Sequence, residues 1–228
     1  MVIPTYNERE NVAPLIAAIE GVGILGLSVL FVDDSSPDGT AEEIRRVAAT
    51  RPWVSVLERP GKMGIGSAYQ DGFGAALASI GPSILVEMDG DLQHPASALP
   101  RLILTVQQGA DVALGSRYVP GGVIVGWGWL RRAVSKGANA YARLMLGLRA
   151  KDATSGFRAF ARGAAATVAA ADLPAKGYEF QVATLHLLKD QAKIVEVPFT
   201  FTVRVAGKSK LGFSDAVKFL VAVVRMAL

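Results

Sequence analysis

The first half of the chain alternates short, apolar, β-branched runs with longer amphipathic ones, and this order restricts the fold to a sheet crossed by helices. The pattern predicts strands ending at residue 3 and over 27–32, 54–58, 84–88 and 111–115. Helices are predicted between them, over 10–20, 40–49, 67–78 and 95–108. Thr40 is placed to cap the second helix, with Glu43 at the capping-box position. Strands that read as continuous apolar runs are buried on both faces, which makes the sheet mostly parallel. Beyond Gly115 the rhythm changes. Residues 119–130 are rich in Gly, Val and Trp and uncharged, and read as a loop. Helices follow over 131–147, 163–171 and 181–189, then a strand over 194–205 and an apolar helix over 214–228. No internal repeat or low-complexity linker divides the chain, so one domain over 1–213 with an apolar C-terminal helix is expected.

Composition removes several classes of chemistry. The chain has no cysteine and only two histidines, His94 and His186, so a metal must be held by oxygen rather than by thiolates or a histidine cluster. The net charge of +4 favours anionic partners, nucleotides and phosphorylated lipids among them. Nucleic acid is not expected, because the basic residues are dispersed and no base-stacking aromatic motif accompanies them. No leader sequence or uncharged run long enough to span a bilayer is visible. Val2-Ile3-Pro4 reads as the end of a strand whose first residues are missing.

The polar motifs sit where the strands end, which in open α/β sheets is where ligands bind. Pro4-Thr5-Tyr6-Asn7-Glu8 follows the first strand, and Asp33-Asp34-Ser35-Ser36-Pro37-Asp38-Gly39-Thr40 the second. Three aspartates in six residues exceed what a turn needs, and one could accept hydrogen bonds from a base or ribose while Asp38-Gly39 makes the turn. Gly61-Lys62-Met63-Gly64-Ile65-Gly66 precedes a helix but fits neither Gly-rich phosphate-loop spacing. Glu87-Met88-Asp89-Gly90-Asp91-Leu92-Gln93-His94 carries the most chemistry. Alternation along an extended chain would put Asp89, Asp91 and the Gln93 amide on one side. These are hard oxygen donors for Mg²⁺ or Mn²⁺, and Gly90 would relieve crowding where a ligand approaches. A basic group follows: Arg117 at a strand end, Arg131 and Arg132, then Arg204 and Lys210. Arginine's planar fork suits phosphate, although Arg132 reads as ordinary surface charge.

The motifs PTYNE, VDDSSPDGT, MDGDLQHP, GSRY, SKGAN, TSGFR and RVAGKSKLG occur in an order and spacing that resembles the polyprenol-phosphate (dolichol-phosphate) mannose synthases of glycosyltransferase family 2. The resemblance implies a GT-A fold, a mostly parallel α/β sheet flanked by helices, with GDP-mannose as donor and a polyprenyl monophosphate lipid as acceptor. It implies that Pro4, Tyr6, Glu8, Val32 and Asp34 form the nucleotide pocket. Asp89, Asp91 and Gln93 become metal ligands and Gly90 lines the donor. Arg117 contacts the donor or the acceptor phosphate, Arg131 and Ser135 contact the acceptor phosphate, and Arg204 and Lys210 contact the diphosphate. Asp91, Arg117 and Arg204 are the expected catalytic residues. The same resemblance leaves a UDP-sugar, glucose-type transferase of the same family as the alternative.

A lipid phosphate is anionic near neutral pH, so such a reaction needs no strong base but does need charge to stabilise the leaving diphosphate. The lipid places the chain peripherally at the cytoplasmic face of a membrane, with or without an anchoring partner. Trp127 and Trp129 followed by Arg131, and the helix over 214–228, are the stretches suited to that interface.

Overall fold

The computed structural model describes residues 1–173, 175, 177–203 and 213–228, with the side chains of 213–215 left aside. The first half follows the predicted alternation: β1 (Val2–Thr5), α1 (Arg9–Glu20), β2 (Val29–Asp33), α2 (Thr40–Ala48), β3 (Val54–Glu58), α3 (Ile65–Ser79) and β4 (Ile84–Glu87). A single 3₁₀ turn, Ala96–Ala98, leads into α4 (Leu99–Gln107), and β5 (Val112–Ser116) follows. The second half contains β6 (Val123–Ile124), α5 (Trp129–Leu146), β7 (Arg158–Ala161), α6 (Arg162–Ala170), α7 (Phe180–Leu188), β8 (Ile194–Pro198), β9 (Thr200–Phe201) and α8 (Phe213–Ala227).

Among the described residues one sheet has seven strands in the order β3-β2-β1-β4-β7-β5-β8, and β6 pairs with β9 in a small second sheet. The large sheet is parallel except for β7, which runs antiparallel to both β4 and β5. Each strand sends alternate residues to opposite faces. Ile3, Val29 and Phe31 pack with α1, α2 and α4 on one side, through Leu15, Ile16, Ile44 and Leu102. Val2 and Val32 pack on the other side with α3, α6 and α7, through Tyr69, Phe73, Val168 and Phe180. Helices therefore cover both faces, the arrangement that buried parallel strands require. A third cluster joins α5 to α8 through Ala142, Leu146 and Val223.

Four local expectations change. Thr40 is the first residue of α2 rather than its cap: Gly39 precedes the helix, and Asp38 Oδ1 accepts from both the Thr40 amide and its hydroxyl. Glu43 pairs with Arg46 instead of closing a capping box. The uncharged loop contains β6, whose partner β9 lies far along the chain. The strand expected over 194–205 breaks into β8 and β9, and its last two residues lie outside the described residues.

Candidate active site

The loops after β1, β2 and β4 lie side by side because their strands are neighbours in the sheet. Each holds one non-glycine residue in the left-handed region: Asn7 (φ 55°), Ser35 (φ 53°) and Leu92 (φ 63°). For Leu92 that conformation is unfavourable, and strain of this kind persists only where the surroundings enforce it. It also removes the premise of an extended chain from Asp89 to Gln93. β4 ends at Glu87, and the residues that follow turn, with the Gln93 backbone N–H donating to Asp91 Oδ1 at 3.1 Å.

The two aspartates occupy different surroundings. Asp91 is buried, whereas the Asp89 side chain is partly exposed and accepts the Tyr69 hydroxyl at 3.0 Å. Burial, followed by the charges of Asp89 and Glu87, raises the Tyr69 phenol well above its ordinary pKa, so it stays a donor. Gln93 gives its amide nitrogen to the Thr202 carbonyl at 2.9 Å, which turns the amide oxygen away from that contact. Two carboxylates and one amide oxygen on a short turn form a donor set that fits a hard divalent cation. Among the described residues no three His, Asp or Glu side chains converge as a metal cage. An ion held here would therefore complete its shell with ligand oxygens and water.

Gly90 has a different reason from the one expected. A Cβ there would come within 3.3–3.4 Å of the Pro4 carbonyl, Thr5 and Ile3, so the crowding it relieves is against β1. Gly156 does face the aspartates: a Cβ at that position would meet the Gln181 amide at 3.1 Å and Asp89 Oδ1 at 3.5 Å.

Behind this turn lies a buried polar layer that sequence reasoning missed. Glu87 accepts a hydrogen bond from the Gln181 amide, and Arg158 pairs with it in register across β4 and β7. Burial pushes the Glu87 carboxyl up to about 7, against the opposing pull of Arg158 and Gln181. Arg158 is fully buried and donates to the carbonyls of Ser155 and Ala153, fixing the segment that carries Gly156. His94 is also enclosed, stacked on Phe157 at 4.9 Å and edge-on to Phe199 and Phe201. Its Nδ1 accepts the Asp89 amide at 3.2 Å, and burial lowers its pKa to about 4. The ring latches the turn through that bond, and its Nε2 lies 3.9 Å from Asp89 Oδ2.

The expected nucleotide residues converge, but by other means than direct exposure. Val32 is fully buried among α3 residues, so only its backbone can face a ligand. Asp34 is turned into the Gly61–Gly66 loop: it accepts from Arg59, from the Met63 amide at 3.1 Å and from the Gly64 amide at 3.4 Å. Arg59 extends the clamp to Ser67, Asp71 and the Gly64 carbonyl. Asp33 likewise accepts from Thr5 and Ser36. The aspartates thus position loops. Glu8 is buried beside Asn11, and the Glu8 amide donates to Thr40, joining the first two loops. Lys62 lies over the Tyr6 ring at 4.5 Å, which brings the glycine-rich segment beside the first loop. Pro4 closes the floor through its carbonyl beside Gly90.

On the other side of the His94 aromatic cluster the charge reverses. Arg117 was expected to present its fork to phosphate; that fork is instead held by the buried Asp152, Nε to Oδ2 at 2.7 Å and Nη2 to Oδ1 at 2.6 Å, with Thr154 at 2.9 Å. Burial alone would lower its pKa, and Asp152 more than offsets that. Arg117 is thereby a rigid cation rather than an open fork, stacked between Tyr118, Trp127 and Phe201. Arg131 lies over the opposite partner of that stack, 4.3 Å from the Trp127 ring centre. Ser135 accepts the Tyr118 hydroxyl at 2.7 Å. Arg117, Arg131 and Ser135 are therefore gathered around Tyr118 and Trp127. Arg204 and Lys210 lie outside the described residues.

Comparison with known proteins adds the following. Residues 1–168 match the Glycosyl transferase family 2. The chain is 43% identical over 217 residues to the polyprenol monophosphomannose synthase of Mycolicibacterium smegmatis, covering 94% of this chain and 81% of that protein. It is 43% identical over 231 residues to the undecaprenyl-phosphate mannosyltransferase of Micrococcus luteus, covering 100% and 93%. With the dolichol-phosphate mannosyltransferase of Pyrococcus furiosus it shares 37% identity over 230 residues, 99% of this chain and 62% of that one. Among solved structures, the glucosyl-3-phosphoglycerate synthase of Mycobacterium tuberculosis superposes with a TM-score of 0.71 at 21% identity, covering 99% of this chain and 78% of that one. The same enzyme bound to Mn²⁺, uridine-diphosphate-glucose and phosphoglyceric acid superposes with a TM-score of 0.69 at 22% identity, again covering 99% and 78%. These two likenesses concern the fold.

Proposed function

The chain belongs to glycosyltransferase family 2, and from that premise we propose that it transfers mannose from GDP-mannose to a polyprenyl monophosphate with inversion at the anomeric carbon. The mannose and the lipid phosphate are supported by the relatives, named as polyprenol-phosphate and undecaprenyl-phosphate mannose transferases. The observation that carries the mechanism is the juxtaposition of an acidic turn and a basic group across one aromatic cluster.

In this reading the nucleoside diphosphate lies along the loops after β1, β2 and β4. Asp89, Asp91 and the Gln93 oxygen would hold a divalent ion, Mg²⁺ or Mn²⁺, which would supply positive charge against the departing diphosphate. An acceptor phosphate oxygen attacks the mannose C1, the bond from C1 to the diphosphate oxygen breaks, and GDP leaves with the electron pair. The nucleophile needs no deprotonation. His94 agrees with that, being neutral, enclosed and occupied at Nδ1 by the Asp89 amide. Arg131 and Ser135 take the acceptor phosphate, Arg117 adds fixed positive charge beside them, and Arg204 and Lys210 complete the diphosphate contacts.

No helix among the described residues is long and apolar enough to cross a membrane. Peripheral attachment follows from the lipid acceptor. The α8 face carrying Val217, Leu220, Val221 and Val224 is exposed and suits an interface plane.

A donor panel tests the function: GDP-mannose against UDP-glucose with a short polyprenyl phosphate, with and without chelator. The expected product is a polyprenyl-phosphate mannose, formed only from GDP-mannose and only with free divalent ion. Turnover confined to UDP-glucose would assign the chain to the glucose-type branch.

A further inference from the structure

Three carboxylates, Glu87, Asp89 and Asp91, fall on alternate residues at the end of β4, and the proposed ion takes only the last two. Glu87 is fully buried and is held from α7, where the Gln181 side-chain amide donates to its Oε1. Gln181 is buried as well, and its own Oε1 has no hydrogen-bond partner among the described residues. A buried amide that makes so few of its bonds costs free energy relative to an apolar side chain of the same size. Packing alone therefore gives no reason for a glutamine at this position.

The first turn of α7 reaches the Asp89 carboxylate from two sides. Phe180 stacks on Tyr69 with ring centres 5.9 Å apart, and the Tyr69 hydroxyl donates to Asp89 Oδ1 at 3.0 Å. Gln181, the next residue, stands across the gap at Gly156. A Cβ there would lie 3.1 Å from Gln181 Nε2 and 3.5 Å from the same Asp89 Oδ1. Arg158 fixes the segment that bears Gly156 by donating to the Ser155 and Ala153 carbonyls, and it faces Glu87 in register across β4 and β7. The Asp89 backbone is held separately, by its N–H to His94 Nδ1. Tyr69 and Gln181 thus bear on the carboxylate rather than on the course of the chain.

We propose that Gln181 is a positioning residue for the transfer: from α7 it holds Glu87 back and supports Gly156, so that Asp89 presents its carboxylate to the divalent ion in one orientation. Groups behind a ligand commonly tune metal affinity in this way. The inference rests on the proposed metal-assisted reaction, and adds to it a residue that lies in none of the motifs at the strand ends. Gln181 acts through Asp89 and touches neither donor nor acceptor.

Binding of Mn²⁺ alone to the full chain, read from the electron paramagnetic resonance of the free ion, tests this. Gln181→Met removes the amide at similar volume and should weaken Mn²⁺ binding about tenfold. Turnover at low Mn²⁺ should fall in step and recover as the ion is raised, which a merely destabilised chain would not show. Gly156→Ala presses on the same gap with the amide intact and should weaken binding in the same direction, which keeps the test open if the methionine variant fails to fold. Thr184→Val, one turn further along α7 and fully buried, should bind Mn²⁺ as the wild type does. Wild-type affinity in either of the first two variants would overturn the proposal, as would an equal loss in Thr184→Val. A wild type that binds no Mn²⁺ would overturn the metal reading and this inference with it. A wild type that binds Mn²⁺ but transfers only from UDP-glucose would correct the proposed donor and leave the ion measurement standing.

Discussion

The strand-end loops of the first half and the segment from Arg117 to Lys151 carry opposite charge and are built in opposite ways. In the loops nearly every carboxylate has an internal task. Asp33, Asp34 and Asp38 fix one another's segments through Thr5, Ser36, Arg59 and Thr40, and the left-handed residues Asn7 and Ser35 are tied into that network. The basic segment has a buried anchor, the Arg117–Asp152 pair, and then exposed cations such as Lys136 and Arg143 beside exposed apolar side chains. The first arrangement suits a small ligand of fixed shape, because preorganised groups lose little on binding. The second leaves positive charge beside apolar side chains, which in the proposed function suits a phosphate carried on a lipid.

The largest separation between the two regions should come from Asp91→Asn. It removes charge from the acidic turn with little change in volume, so turnover is expected to fall on the order of 10³-fold while the midpoint of thermal unfolding stays near the wild-type value. A comparable loss of thermal stability would show that Asp91 supports the fold instead.

Asp152→Ala should do the reverse and strike stability first. It strands Arg117 without a counter-charge in a buried site, and breaking such a pair typically costs about 3–5 kcal/mol. Urea unfolding would measure it; a cost below about 1 kcal/mol, the level of an exposed pair, would mean that water reaches Arg117 freely.

Tyr69→Phe is the smallest and sharpest of the three. It deletes one hydrogen bond to Asp89, for which about 1 kcal/mol is typical. A several-fold loss of turnover without a change in donor KM is expected, and an unchanged rate would detach Tyr69 from the acidic turn.

Much of this contrast was legible in the sequence. Apolar runs and their spacing gave the parallel sheet because each strand is buried on both faces, and the acidic clusters fall at the ends of neighbouring strands, as their positions in the chain suggested. What escaped was long-range. β7 is a short strand inserted antiparallel between β4 and β5, and no local pattern announces its partners. Asp152 is an isolated aspartate whose role depends on Arg117 lying beside it in space. Arg132 read as surface charge and is exposed; only its bonds to the Ile124 and Trp127 carbonyls depend on α5 and β6 being brought together. The shared direction of Asp89 and Asp91 assumed an extended chain, which the turn at Leu92 replaces, and the crowding at Gly90 is against β1, a contact no local pattern shows.

The central claim is a division of labour: donor and metal on the acidic turn, acceptor phosphate on the basic group. Steady-state KM values for both substrates in the wild type and in Arg131→Ala test it most directly. The account predicts an acceptor KM raised roughly tenfold, the loss of one charge-assisted contact, with the donor KM unchanged. A donor KM that rises in parallel, or an acceptor KM that does not move, would contradict it.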